Sequence, residues 1–289
     1  MKKIFFLFLI LISCNDSNNI IIDKNLFNDN YENLSYKQKM FFLDSLRIKT
    51  NGFSNNSIKL EQLFKIAAEY YYIKDYSSSY KTSKNAYTTA IKLKDSFSIG
   101  RSLYYMGDCF TEYRKDSAYY YYKESEKIYR LIKNEERLAK VLYNKAHLLF
   151  YEGNYTESEI EVIKALNYLK NVENLLYKYR CYSLQGSNLF ELGEYEKALD
   201  YFNQSSKVLD LMQVQKIDKD AFYDYNITNT IDICNVYDKK EDYSKSIKEL
   251  KKVIHSYNLT DYPKLHHVVL GNLGYSLMKN KNYNESEDY

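Results

Sequence analysis

Residues 187–199, SNLFELGEYEKAL, hold the pattern that decides the fold: an apolar run, a turn-forming Gly-Glu pair, Tyr195, and the small residue Ala198 three positions later. The same order returns in HLLFYEGNYTESE (147–159), NVYDKKEDYSKSI (235–247) and YSLMKNKNYNESE (275–287). The tyrosines stand at 76, 155, 195, 243 and 283, and Ala or Ser follows at 79, 158, 198, 246 and 286. Twelve residues before each of those lies another small residue: Ala67, Ala146, Gly186, Cys234 and Gly274. Constant separation between small residues on successive helices marks a point where the two helices cross closely. A further copy fits at Gly107 and Ala118 in MGDCFTEYRKDSAYYYYKES (106–125), where a separation of eleven reads as one residue deleted from the turn. That makes six units, the last of them incomplete.

The spacing between copies is 40 residues from Tyr155 to Tyr195 and again from Tyr243 to Tyr283, and 48 from Tyr195 to Tyr243. The excess falls within residues 206–230, and eight residues are close to two helical turns, so longer helices would keep the apolar face in register. Composition agrees with helices joined by short turns. Of 289 residues only one is Pro and eight are Gly, too few for a β-rich fold with many tight turns. Hydrophobic content is 45% and charged content 27%, ordinary for a folded chain with a sizeable core. Tyr occurs 34 times and Trp not at all, but the sequence is also heavy in Lys, Asn and Ile. An A/T-rich genome enriches these four together, so abundant tyrosine alone does not mark a binding site.

The repeated residues carry a resemblance to the tetratricopeptide repeat family, whose pattern is W-x₂-L-G-x₂-Y, then A-x₃-F, then P. NLGYSL (272–277) and LGEYEKALDYF (192–202) match it best, and the resemblance covers roughly residues 55–289. Three features depart from the family: the first-position Trp is missing from every unit, as is the closing Pro, and the period is longer than the usual 34. The resemblance implies an all-α fold, a right-handed α-solenoid of about six helix pairs. Each pair hides its apolar side against its neighbours, leaving a concave face.

In the family's geometry the first helix of each pair lines that face. The groove-facing places then fall three before, one after and four after each small residue, on one helical side. They are Tyr104, Asp108 and Thr111; Tyr143, His147 and Phe150; Ser183, Ser187 and Phe190; and Ile231, Asn235 and Asp238. A mixed polar and aromatic lining suits a peptide or helix held by stacking and a few hydrogen bonds. It does not match the Lys/Asn clamp with which some family members hold a C-terminal carboxylate.

The first fourteen residues, MKKIFFLFLILISC, place two lysines before nine apolar residues, Ile4 to Ile12, then Ser13 and Cys14. Too short to span a bilayer, the run fits a signal peptide over 1–13. Leu11-Ile12-Ser13-Cys14 resembles the lipobox of bacterial lipoproteins, which implies a diacylglyceryl thioether on Cys14 and an acylated mature N-terminus. Two or three acyl chains, at about 0.8 kcal/mol per buried CH₂, hold a protein stably on a membrane. Residues 14–33, rich in Asn and Asp, read as a tether, and 34–54 as an N-terminal capping helix opened by the Ser35/Gln38 capping-box spacing.

Four histidines (147, 255, 266 and 267) lack any metal-ligand spacing, and Cys109, Cys181 and Cys234 lie far apart, as expected of buried thiols. No phosphate loop or nucleophile elbow is present, so neither an enzyme, a cofactor nor a metal is expected. The net charge of +3 includes Lys2 and Lys3, so the chain beyond the leader carries +1, too little for a dedicated nucleic-acid surface. The sequence therefore reads as an exported, membrane-anchored bacterial lipoprotein, facing the periplasm or the cell surface, that binds a protein or peptide. Two other expectations stand beside it. FFLDSL (41–46) and KDSAYYYYKES resemble the repeat regions ahead of a membrane helix and a histidine kinase or DNA-binding domain in bacterial regulators, and an uncapped last unit would suit such an input module. A structural subunit of an envelope assembly or uptake system is the third.

Overall fold

In a computed structural model, which describes residues 31, 33–215 and 219–289, the chain is a succession of helices with no strand among the described residues. The signal peptide, Cys14 and nearly all of the tether lie outside them. The chain divides into two compact units, which meet in sequence between Phe110 and Thr111. The first contains α1 (Tyr36–Asn51), α2 (Ser57–Tyr72), α3 (Tyr76–Leu93) and α4 (Ser96–Asp108). The second contains α5 (Lys115–Leu131), α6 (Glu135–Tyr151), α7 (Tyr155–Leu169), α8 (Leu175–Glu191), α9 (Tyr195–Val214), α10 (Lys219–Lys239), α11 (Tyr243–Ser256), a 3₁₀ turn (Leu259–Asp261), α12 (Pro263–Lys279) and the short α13 (Tyr283–Ser286). No helix among the described residues is long and apolar enough to cross a membrane.

Each repeat tyrosine is the first residue of the second helix in its pair: Tyr76, Tyr155, Tyr195, Tyr243 and Tyr283. Ahead of it runs a three-residue turn with one fixed shape. Its middle residue takes positive φ: Lys74 (63°), Gly153 (76°), Gly193 (79°), Glu241 (60°) and Lys281 (65°). That left-handed residue folds the chain back, and the amide after it reaches the carbonyl five residues upstream. Asp75, Asn154, Glu194, Asp242 and Asn282 donate to Tyr70, Leu149, Leu189, Tyr237 and Leu277 at 2.8–2.9 Å. This closes the last carbonyls of the first helix in the manner of a Schellman motif. The Asp75 side chain then accepts from Ser78 N–H at 3.1 Å, and Asp242 from Lys245 N–H at 3.4 Å, so one residue ends one helix and starts the next. Glycine occupies the left-handed position only twice; the other three tolerate a cost of about 1–2 kcal/mol each.

The small residues separated by twelve meet as the spacing predicts. Ser79 Oγ donates to the Ala67 carbonyl and Ser158 Oγ to the Ala146 carbonyl, both at 2.8 Å, and the Cys234 thiol lies 3.7 Å from the Ser246 carbonyl. A side chain that bonds the backbone of the facing helix requires the two axes to be close. At the Gly186 crossing the filler is aromatic: a Cβ placed on Gly186 would sit 2.6 Å from the Phe202 ring. Gly274 likewise faces the Ser286 carbonyl, 3.8 Å from where its Cβ would be. The Gly107–Ala118 stretch differs from expectation. Helix α4 stops at Asp108 and α5 begins at Lys115, so the separation of eleven reflects a shortened helix with a longer connection, not a tightened turn.

In the first unit, α1 opens at Ser35, whose N–H donates to Gln38 Oε1 at 2.9 Å. Phe42, Leu43 and Leu46 pack on Ile66 and Tyr70 of α2, whose hydroxyl donates to Asp44 at 2.7 Å. In the second unit the excess length falls where the period predicts: α9 has 20 residues and α10 has 21. Their added turns join α8 through a core of Tyr179, Val208, Leu209, Met212 and Phe222. Lys145 of α6 is 5% exposed and tied to Glu126 of α5 at 2.7 Å and Glu161 of α7 at 3.1 Å. Burial disfavours its charge, but the two carboxylates outweigh that and raise its pKa, so one ammonium clamps three helices.

Gly186→Ala tests the crossing. Overpacking against Phe202 costs about 1–3 kcal/mol, against about 1 kcal/mol gained in helix propensity, for a net loss of up to roughly 2 kcal/mol in urea unfolding. Adding Phe202→Leu should recover part of that loss; strictly additive effects would show that the two helices do not meet there.

Candidate functional site

The first helices of successive pairs in the second unit lie side by side, α6 against α8, α8 against α10, and α10 against α12. On α6, residues four apart share a face, and Tyr143, His147 and Tyr151 form a continuous aromatic row. The Tyr143 and His147 rings stack with centroids 5.7 Å apart, and His147 meets Tyr151 edge-on at 4.6 Å. From α8, Tyr177 closes on Tyr143 at 5.6 Å with perpendicular planes. Phe150 packs between Tyr151 and Tyr155, at 5.7 and 5.4 Å.

Arg180 of α8 lies over Tyr177, its guanidinium carbon 5.3 Å from the ring centroid, and its Nη2 donates to the Tyr225 hydroxyl of α10 at 3.4 Å. Burial alone would lower its pKa, but that hydrogen bond and the neighbouring phenols outweigh it and keep the group charged. Burial, and then the positive charge of Arg180, hold the His147 imidazole below its usual range, so it is neutral at pH 7. Burial likewise pushes the Tyr143 phenol up. Tyr179 stacks on Tyr225 at 5.0 Å and donates to the Tyr225 carbonyl at 3.2 Å.

The residues proposed from sequence are distributed as follows. Tyr143, His147, Phe150, Ser183, Ser187, Phe190 and Asn235 are all half-buried in the second unit, as are Thr111 and Asp238. Tyr143 and His147 are brought together; Ser187 turns back to donate to the Ser183 carbonyl at 3.1 Å. Phe190 packs on Tyr195 at 5.6 Å, beside the core formed by Leu189, Ala198, Phe202 and Val236. Asn235 accepts from Asn272 at 3.1 Å, and Asp238 accepts from Ser276 at 2.9 Å, so both are committed to α12. Ile231 is 6% exposed and belongs to the core shared by α10, α11 and α12, because α11 and α12 cover that side of α10. Tyr104 and Asp108 are half-buried on α4 of the first unit. Cys109, Cys181 and Cys234 are free, buried thiols.

Sequence reasoning missed Tyr177, Arg180, Tyr225 and Asp232. For Arg180 a signal existed, since it stands three residues before Ser183 and seven before Ser187, on the same helical side. Asp232 of α10 is half-buried, and burial pushes its pKa up to about 7.

Residues 137–210, which contain this aromatic row and Arg180, match the tetratricopeptide repeat family, and the hairpins around them make the fold a tetratricopeptide-repeat α-solenoid. Similar solved structures include BtubC (BKLC) from P. vanneervenii, with a TM-score of 0.66 at 14% identity over 77% of this chain and 91% of that one. A Rap protein complexed with Competence and Sporulation Factor gives 0.61 at 11% identity over 98% and 88% of the two chains. A signal transduction ATPase with numerous domains and a tetratricopeptide repeat sensor, from Pyrococcus horikoshii, gives 0.66 at 16% identity; the match covers 99% of this chain and 41% of that one. At these identities the likeness is one of fold. No curated protein matches the sequence.

Asp232 predicts a pH dependence of stability. Its folded pKa is raised above that of the unfolded chain, so its contribution is fully present below about pH 4 and is lost as pH rises through about 7. Asp232→Asn should therefore gain on wild type between pH 5 and 8, by on the order of 1–3 kcal/mol once partial exposure is allowed for, measured by urea unfolding. A constant difference across that range would mean that the carboxylate is solvated.

Proposed function

We propose that the chain is a membrane-anchored lipoprotein scaffold of the bacterial envelope that binds a peptide or protein segment along the α6–α8–α10 layer. The observation that carries the binding reading is the aromatic row of half-buried Tyr143 and His147 and exposed Tyr151, with buried Tyr177 across from it. Flat rings held edge-on and face-on by their neighbours give contact area at little further cost in side-chain entropy. Nothing of comparable aromatic density is needed to hold α6, because its packed side is already filled by Leu138, Ala139, Val141, Leu142 and Ala146. The Rap protein bound to Competence and Sporulation Factor, similar in fold over nearly the whole chain, supports the same reading. The leader MKKIFFLFLILISC supports the anchor and export. A second reading, a sensory input module, is favoured by the repeat sensor of the Pyrococcus ATPase, which spans the length of this chain within a larger protein.

An array of synthetic octapeptides probed with the full-length chain tests the binding surface. Tyr143→Ala should weaken the peptides that wild type holds by about five- to tenfold, the equivalent of about 1–1.4 kcal/mol, with helicity by circular dichroism unchanged. Equal binding by a folded variant would remove the row from the site. For the anchor, radioactive palmitate should label wild type and leave Cys14→Ala unlabelled; a wild-type chain that takes no label has no such anchor.

A further inference from the structure

Several cations elsewhere among the described residues have carboxylate partners. Lys145 is held by Glu126 and Glu161, Arg130 by Glu126 at 2.7 Å, Arg101 by Glu61 at 2.9 Å and Arg47 by Asp44 at 2.8 Å. Lys140, next to the aromatic row, reaches Glu136 at 2.7 Å. Lys59 ends instead on the carbonyls of Asn51 and Phe53, each at 3.1 Å.

Arg180 is a further case without a carboxylate. Half-buried, it has the Tyr177 ring and one phenol oxygen, and among the described residues no carboxylate lies within ion-pair distance. Five N–H donors are more than one phenol can accept, so a fork remains open. Asp232 is the converse on the adjacent helix: half-buried, with no cation or hydrogen-bond donor within reach among the described residues. The two are linked through Tyr225, which accepts from Arg180 and stands seven residues, two helical turns, before Asp232 on the same side of α10. Yet they do not pair with each other. Leaving two opposite, partly desolvated charges unmatched on neighbouring helices is costly, and either would be stabilised by a ligand group of the other sign.

We propose that Arg180 and Asp232 form a two-point recognition site for a peptide segment carrying both a carboxylate and a basic side chain. This rests on the peptide-binding reading above and narrows it. The carboxylate meets the open edge of the Arg180 guanidinium, which the Tyr177 ring and the Tyr225 hydroxyl hold in place for a two-bond contact. The ammonium or guanidinium of the same segment meets Asp232. A polyanion such as a nucleic acid would be attracted at one point and repelled at the other, which favours the dipolar segment.

The test uses octapeptides bearing one Glu and one Lys at separations of one to four residues, each also made with Glu→Gln, with Lys→Gln, and with a free or an amidated C-terminus. Full-length wild type should bind doubly charged peptides about tenfold better than either neutralised version. Arg180→Gln should lose the preference for Glu and keep that for Lys, and Asp232→Asn should do the reverse. A Glu preference that persists in Arg180→Gln, or wild-type binding indifferent to both charges, overturns the site and leaves peptide binding intact; binding of no peptide removes both. A carboxylate effect confined to free C-termini identifies the terminal carboxylate as the group at Arg180. If circular dichroism shows Arg180→Gln unfolded, Tyr225→Phe keeps the charge but frees the guanidinium. It should cut the Glu preference severalfold, and an unchanged preference overturns the site.

Discussion

Two helices approach closely only where neither carries bulk at the crossing, and this constraint sets the rest of the structure. At Gly186 the space a methyl would need is already filled by Phe202, and at Ala67 and Ala146 the facing serine reaches the bare backbone. Because the crossing lies twelve residues downstream, the path between must be one helix end, three turn residues and one helix start. The left-handed turn residue provides that path, and the amide that follows it caps the carbonyls behind. With both ends fixed, the first helices of successive pairs come to lie beside one another. Side chains 37 to 45 residues apart in sequence, such as Asn235 and Asn272 or Arg180 and Tyr225, thereby share a surface.

The hairpins were legible because their signal is a spacing, and a spacing survives the loss of family hallmarks such as the first-position Trp. The lengthening of α9 and α10 was legible for the same reason: eight residues preserve the helical face. The surface was harder to read. A rule counting from the small residue places Tyr143 and His147 together but also selects Ile231, which α11 and α12 cover. Asn235 and Asp238 occupy the predicted positions yet are engaged by Asn272 and Ser276, partners a repeat away. Whether a polar residue is open or satisfied depends on the next hairpin, and no local pattern encodes that. Nor does the spacing at Gly107–Ala118 distinguish a tightened turn from a shortened helix.

Charge placement separates framework from surface. Lys145 holds α5 and α7 to α6 because two carboxylates offset its burial, so this cation belongs to the architecture. Arg180 has only a ring and a phenol, and Asp232 has neither cation nor donor. Two half-buried groups of opposite sign thus stand without a charge partner on the adjacent helices α8 and α10. That is the place where a partner's groups can add to the structure's own.

The ionisation of the neighbouring groups suits holding a ligand more than transforming one. Burial pushes the Cys234 thiol up to about 12, so it is protonated and weakly nucleophilic at neutral pH. The Tyr143 and Tyr179 phenols move up and the His147 imidazole moves down, so these groups keep a single protonation state across the physiological range. A general acid or base works best with a pKa near the working pH and a reacting proton within hydrogen-bond reach. Asp232 has the first property. Rings that stay neutral and a guanidinium that stays charged make a surface whose affinity follows the ligand's own charges.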